Sequence, residues 1–160
     1  MRVGILTVSS SRAAQGGPDE SGDELARLAS ALGGEIAVRE IVSDERPAIE
    51  ERLRRWSDDE RCDLILTTGG TGVAPRDVTP EATLAAIERE VPGIAEAMRA
   101  ASREHTRHWM LSRGVAGIRG ATLIVNFPGS PRSIAQTGAA IGEALPHALA
   151  LLAGGGGDHG

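Results

Sequence analysis

With 160 residues, 41% hydrophobic and 24% charged, the chain suffices for one compact domain and is too short for two ordinary ones. A net charge of −5, with only two Trp, one Phe and no Tyr, excludes a general nucleic-acid binder, which needs basic patches and stacking aromatics. No apolar run approaches the ~20 residues of a membrane span and no leader pattern precedes the first apolar segment, so a cytoplasmic protein with no membrane partner is expected.

Val3 to Val8 reads as a short buried strand, followed by a polar loop carrying Ser9, Ser10 and Ser11. From Ser21 to Leu32, Leu25, Leu28, Ala29 and Leu32 recur at helical spacing. Ile36 to Val42 is β-branched and predicts a second strand, and Ile49, Leu53 and Trp56 mark one face of a helix from Pro47. Asp63 to Thr68 is nearly continuous in apolar residues, as buried parallel strands are, with the single Cys62 expected to be buried just before it. Thr79, Pro80 and Glu81 predict an N-cap, a first-turn proline and a dipole-favourable acid opening a helix to about Ile87. Pro92 starts another, with Ile94, Ala97 and Met98 expected on its inner face, while Arg103 to Arg113 resists assignment. Val115 to Ile118 and Ala121 to Phe127 form either a hairpin or one interrupted strand. Ser130 as N-cap and Pro131 as first residue open a final helix to about Leu152, with a break expected near Pro146. Gly154 to Gly160 is expected to be a disordered tail behind a domain of residues 1–153.

Alternation of strands and helices predicts an α/β fold: a three-layer, open, mostly parallel sheet with helices on both faces. In such sheets ligands bind outside the carboxyl ends of the strands. The loops Ser9 to Ser11, Asp44, Gly69 to Asp77 and Gly129 to Ser133 all follow strands, so they should converge on one edge.

The loop from Thr68 through Gly69, Gly70, Thr71 and Gly72 suits an anion, because glycines admit close backbone approach and positive φ. It is no Walker A motif, since all 17 basic residues are Arg and none is Lys, and Pro75 spoils a dinucleotide fingerprint. A tight turn that merely needs glycine is the bland alternative. Within a dozen residues, however, stand Arg76 as a cationic fork, Asp77 as a Mg²⁺ ligand type and the Thr79-Pro80 helix start as a second anion site. Asp44 reads equally as a functional acid and as a turn former or cap for the Pro47 helix. His105 and His108 lack a third ligand and are expected at the surface. Arg12, Arg76, Arg113 and Arg132 lie near the converging loops, and Arg76 and Arg132 are favoured as functional over ordinary surface charge.

Thr67 to Gly72 followed by Pro75-Arg76-Asp77-Val78-Thr79-Pro80-Glu81 closely resembles the signature of the MoaB/Mog family of molybdenum-cofactor biosynthesis proteins. Asp19-Glu20-Ser21-Gly22, Val42-Ser43-Asp44-Glu45, Leu111-Ser112-Arg113 and Pro128-Gly129-Ser130-Pro131 extend the resemblance over nearly the whole chain. It implies a molybdopterin-binding fold, a homotrimer or multiple of three, and adenylyl transfer from ATP to the terminal phosphate of molybdopterin with Mg²⁺ and release of pyrophosphate. Carried over, Asp44 and Asp77 match the family's two functionally important acids, with Asp77 the metal ligand, and Gly70, Thr71, Gly72, Ser112, Gly129 and Ser130 match ligand-contacting positions. Ser10 departs from the acid that many adenylyl-transferring relatives carry after the first serine of that loop. The alternative is a non-catalytic molybdopterin-binding or carrier protein of the same pathway.

Overall fold

The computed structural model describes residues 1–155. In chain order the elements are β1 (Arg2–Val8), α1 (Ser10–Gln15), α2 (Glu20–Ala31), β2 (Glu35–Val42), α3 (Arg46–Asp58), β3 (Leu64–Thr68) and α4 (Thr79–Ala86). There follow β4 (Arg89–Glu90), α5 (Pro92–Ser102), a 3-10 turn (Trp109–Leu111), β5 (Ala116–Arg119), β6 (Thr122–Phe127), α6 (Pro131–Ile141) and α7 (Ala144–Leu152). The six strands form one sheet in the order β2-β1-β3-β6-β5-β4. The first four run parallel, and β5 and β4 are antiparallel to their neighbours.

Period-two alternation sorts the strand side chains onto the two faces. Ile5, Leu64, Leu66, Leu123 and Val125 pack with Leu25, Met98, Ile134 and Leu145 of α2, α5, α6 and α7. Leu6, Ile65 and Ile124 meet Ile49, Leu53 and Trp56 of α3 and Ala82 and Ala86 of α4 on the other. Helices therefore cover both faces, as buried parallel strands require. Cys62 is buried beside Trp56 in the second cluster, and that burial pushes its thiol pKa up to about 11.

Several boundaries differ from the sequence expectations for identifiable reasons. The loop after β1 contains a helix, α1, whose Ser9 cap accepts from the Arg12 amide; it buries no residue, so it has no apolar period to read. Val115 to Phe127 resolves as the hairpin, β5 pairing with β6 across Gly120. On α5, Ile94, Ala95 and Met98 face inward and Ala97 is exposed. The last helix breaks at Gly142, because Pro146 falls in the first turn of α7, where its missing N–H is no loss. Two-residue β4 is too short to show alternation. Of the glycine tail, the Gly154 and Gly155 amides donate to the Leu151 and Ala150 carbonyls, and residues 156–160 lie outside the described residues.

Candidate functional site

Because β2, β1, β3 and β6 are parallel neighbours, their carboxyl ends share one edge and the four expected loops meet there. Hydrogen bonds fasten loop to loop. The Thr68 hydroxyl donates to the Pro128 carbonyl at 2.6 Å, joining the β3 and β6 loops, and Ser21 of α2 donates to the Gly129 carbonyl at 2.6 Å. Thr68 is thus fully buried with its hydroxyl committed to a neighbouring loop. Ser130 caps α6 as expected, accepting from the Ser133 amide at 3.2 Å.

Gly69 and Gly70 stand at φ of 92° and 68°, the region that glycine enters at no steric cost. A Cβ at Gly69 would strike the Val8 carbonyl, and one at Gly70 the Thr79 hydroxyl, so both positions need glycine for space as well. Thr79 is inside α4 rather than its cap; its hydroxyl donates to the Gly69 carbonyl at 2.9 Å and its amide to the Gly70 carbonyl at 3.1 Å. With that amide engaged, Pro80 lacking one and the Glu81 carboxylate in the first turn, the start of α4 is closed to anions, contrary to the expectation. The open donors are in the loop itself: among the described residues, the amides of Gly70, Thr71, Gly72 and Val73 have no acceptor. Successive unpaired N–H groups form a concavity for anions.

The Asp77 carboxylate folds back on this loop, accepting from the Ala74 amide at 3.0 Å, while the Asp77 amide donates to the Ala74 carbonyl at 2.9 Å. Arg113 holds the same loop from the far side. Its Nε donates to the Gly72 carbonyl at 2.6 Å, one terminal nitrogen to the Asp77 carbonyl at 2.7 Å, and the other to both Glu81 oxygens at 2.9 and 3.0 Å. Hydrogen bonding to Arg113 holds the Glu81 carboxyl below its ordinary range. The pair is therefore complete above the usual glutamate pKa and is lost only as pH falls through the lowered one.

Asp44 does not cap α3, whose cap residue Glu45 makes no side-chain bond. Its carboxylate instead accepts from the Ser10 hydroxyl at 2.8 Å and the Ser10 amide at 3.2 Å, and the Asp44 amide donates back to that hydroxyl at 3.0 Å. Arg76 and Arg132 are exposed and make no ion pair among the described residues. His105 and His108 are exposed as expected. Among the described residues no three His, Cys, Asp or Glu side chains cluster to hold a metal. Asp44 and Asp77 thus offer single carboxylates, which is what Mg²⁺ takes when phosphate oxygens and water complete its shell.

Behind the loops a cavity of about 140 Å³ opens between α5, the 3-10 turn and α6. Met98, Trp109 and Pro128 give it apolar walls, and Ser102, Ser112, Asn126, Ser133 and Thr137 give it polar groups. Apolar walls with a few convergent polar groups are the usual make-up of a small-molecule site.

A family model described as a probable molybdopterin binding domain matches residues 4–147. The chain belongs to this family. It is 46% identical over 115 residues to the molybdopterin adenylyltransferase of Helicobacter pylori strain J99, covering 72% of this chain and 65% of that one. It is 41% identical over 150 residues to the molybdenum cofactor synthesis protein cinnamon of Drosophila melanogaster, covering 93% of this chain but only 25% of that protein. The chain thus spans less than two thirds of the length of both relatives. Among solved structures it matches the molybdopterin biosynthesis enzyme MoaB of Thermus thermophilus, with a TM-score of 0.89, 49% identity and 96% of each chain covered.

The four loops were legible because each follows a strand of an alternating α/β chain, and parallel strands bring such loops to one edge. Sequence reasoning did not find the roles of Ser21, Thr79, Asn126 or Arg113. For Arg113 the available signal was its place directly after Ser112, on the segment that returns to the glycine loop.

Proposed function

We propose that this chain, as a homotrimer or multiple of three in the cytoplasm, transfers AMP from ATP to the terminal phosphate of molybdopterin and releases pyrophosphate. The observation that carries this reading is the row of unpaired amides at Gly70, Thr71 and Gly72, on a loop that the Arg113 amide ties to the segment whose Ser112 and Gly114 line the cavity. The amides supply fixed partial positive charge to the reacting phosphates, and exposed Arg76 and Arg132 add mobile charge at the rim. Gly129 stands against the Gly69 backbone, Ser130 follows it as the cap of α6, and Ser112 lines the cavity, where the pterin would sit. An oxygen of the molybdopterin phosphate attacks the α-phosphorus of ATP, and the bond between the α-phosphorus and its bridging oxygen breaks. Transfer of this kind needs positioning and charge neutralisation more than a covalent nucleophile. Mg²⁺, when bound with the nucleotide, would neutralise phosphate charge beside the Asp77 carboxylate. Asp44, presented by Ser10, faces the same edge as a second acid.

Because glycine amides can hold phosphate without Asp77, binding and chemistry should separate on its removal. In Asp77→Ala and Asp77→Asn, molybdopterin affinity should stay near the parental value while single-turnover AMP transfer drops by about 100-fold. Pyrophosphate release and equilibrium binding are measured side by side. Parental transfer in either variant would remove Asp77 from catalysis, and collapse of binding together with folding would reduce it to the loop bond with Ala74. A parent that binds molybdopterin but releases no pyrophosphate from ATP would be a carrier.

A further inference from the structure

The anion-binding amides are only as well aimed as the peptide planes that bear them. A trans peptide holds its N–H antiparallel to its C=O, so whatever fixes a carbonyl also fixes the direction of the next residue's amide. Two consecutive carbonyls of the glycine loop are held by one residue. The Arg113 amide donates to the Thr71 carbonyl at 2.8 Å, and its side-chain Nε donates to the Gly72 carbonyl at 2.6 Å. Those two bonds turn the amides of Gly72 and Val73 away from Arg113. A third, from the guanidinium to the Asp77 carbonyl at 2.7 Å, fixes the backbone from which the Asp77 carboxylate projects. The remaining donors form a two-oxygen pair with Glu81 in the first turn of α4, which keeps the planar fork from rotating.

We propose that Arg113 is a positioning residue for adenylyl transfer: it touches no substrate, and it aims the Gly72 and Val73 amides and sets the place of Asp77. The proposal rests on the function inferred above. No other residue contacts Gly72, Asp77 and Glu81 together by side-chain hydrogen bonds among the described residues. Lysine cannot replace it, because a single ammonium lacks the spread of a guanidinium whose nitrogens reach three separate groups.

The test is a double-mutant cycle on the full chain, comparing the parent with Arg113→Lys, Asp77→Asn and the pair combined. Single-turnover AMP transfer, equilibrium binding of molybdopterin, binding of inorganic pyrophosphate and thermal unfolding are read for each. Arg113→Lys should transfer about 30-fold more slowly, with molybdopterin affinity within about 3-fold of the parent, because positioning acts on the transition state. The combined variant should be scarcely slower than Asp77→Asn alone, since groups acting as one unit are not additive. Pyrophosphate affinity should fall by about 10-fold in Arg113→Lys, and this holds whether or not the parent turns over. A parental transfer rate and parental pyrophosphate affinity in Arg113→Lys would overturn the proposal, and so would losses that multiply in the combined variant. A parental rate in Asp77→Asn beside a slow Arg113→Lys would sink the role of Asp77 and still support the aiming of the amides. If Arg113→Lys fails to fold, Glu81→Gln, which keeps the arginine and removes its charge partner, should slow transfer by about 5-fold at an unchanged melting temperature. Parental transfer in that variant would count against the proposal.

Discussion

Ser10 shows how one hydroxyl can replace a more elaborate arrangement. It donates to the Asp44 carboxylate and accepts from the Asp44 amide, so the acid at the end of β2 is held from the end of β1. An aspartate there would set two carboxylates in contact, and like charges at that distance push one pKa upward unless a cation joins them. Serine keeps Asp44 oriented without that repulsion. Ser10→Ala should therefore leave stability nearly unchanged, because the site is exposed, yet slow single-turnover transfer by about 5-fold through loss of roughly 1 kcal/mol of orientation. An unaltered rate would show that Asp44 needs no such support. Ser10→Asp should match the parental rate only at raised Mg²⁺, which a metal titration of the transfer rate would reveal.

At the level of elements, the buried Asn126 of β6 spends its whole side-chain amide on three neighbours. Its amide nitrogen donates to the hydroxyls of Thr67 in β3 and Thr83 in α4, both at 3.0 Å, and its oxygen accepts from the Val115 amide at 3.1 Å. It thus ties β6, β3 and α4 together near the ends of the parallel strands. Asn126→Ala strands those partners in the core and should lower unfolding stability by about 2 kcal/mol, seen as a shifted urea midpoint at constant slope. A midpoint within error of the parent would mean that water replaces the amide. The apolar pattern of β6 announced a strand but could not announce this network, since a single polar residue in a run carries no period. The same limit hid α1, which buries nothing, and β4, which is two residues long. Long amphipathic helices and the strand ends were legible because 3.6- and 2-residue repeats and glycine clusters are written locally. The clamp by Arg113 was not, since its partners lie 32 to 41 residues away along the chain. Only the turn of the fold that brings the segment after Trp109–Leu111 back against the glycine loop creates it.

On the scale of the whole molecule, apolar surface remains uncovered at the antiparallel end of the sheet. Val91, Ile118, Ala148 and the exposed Leu151 line one hollow there. Hydrophobic surface of this kind is what a symmetric assembly buries. Light scattering across a concentration series should give a mass near 50 kDa, three chains of 16.6 kDa, and a steady monomer mass would dismiss the trimer. The four converging loops and the two ends of the described chain lie at opposite edges of the sheet. Met1 and Arg2 bond with Glu35 and Asp63 where β2 and β3 begin, and Gly154 and Gly155 lie in the same hollow as Leu123, beside the start of β6. A tether or affinity tag joined ahead of Met1 would hang from the floor of the sheet and leave the loop edge unobstructed. A second domain joined there would thus require no redesign of the loop edge, only a linker long enough to walk around the sheet.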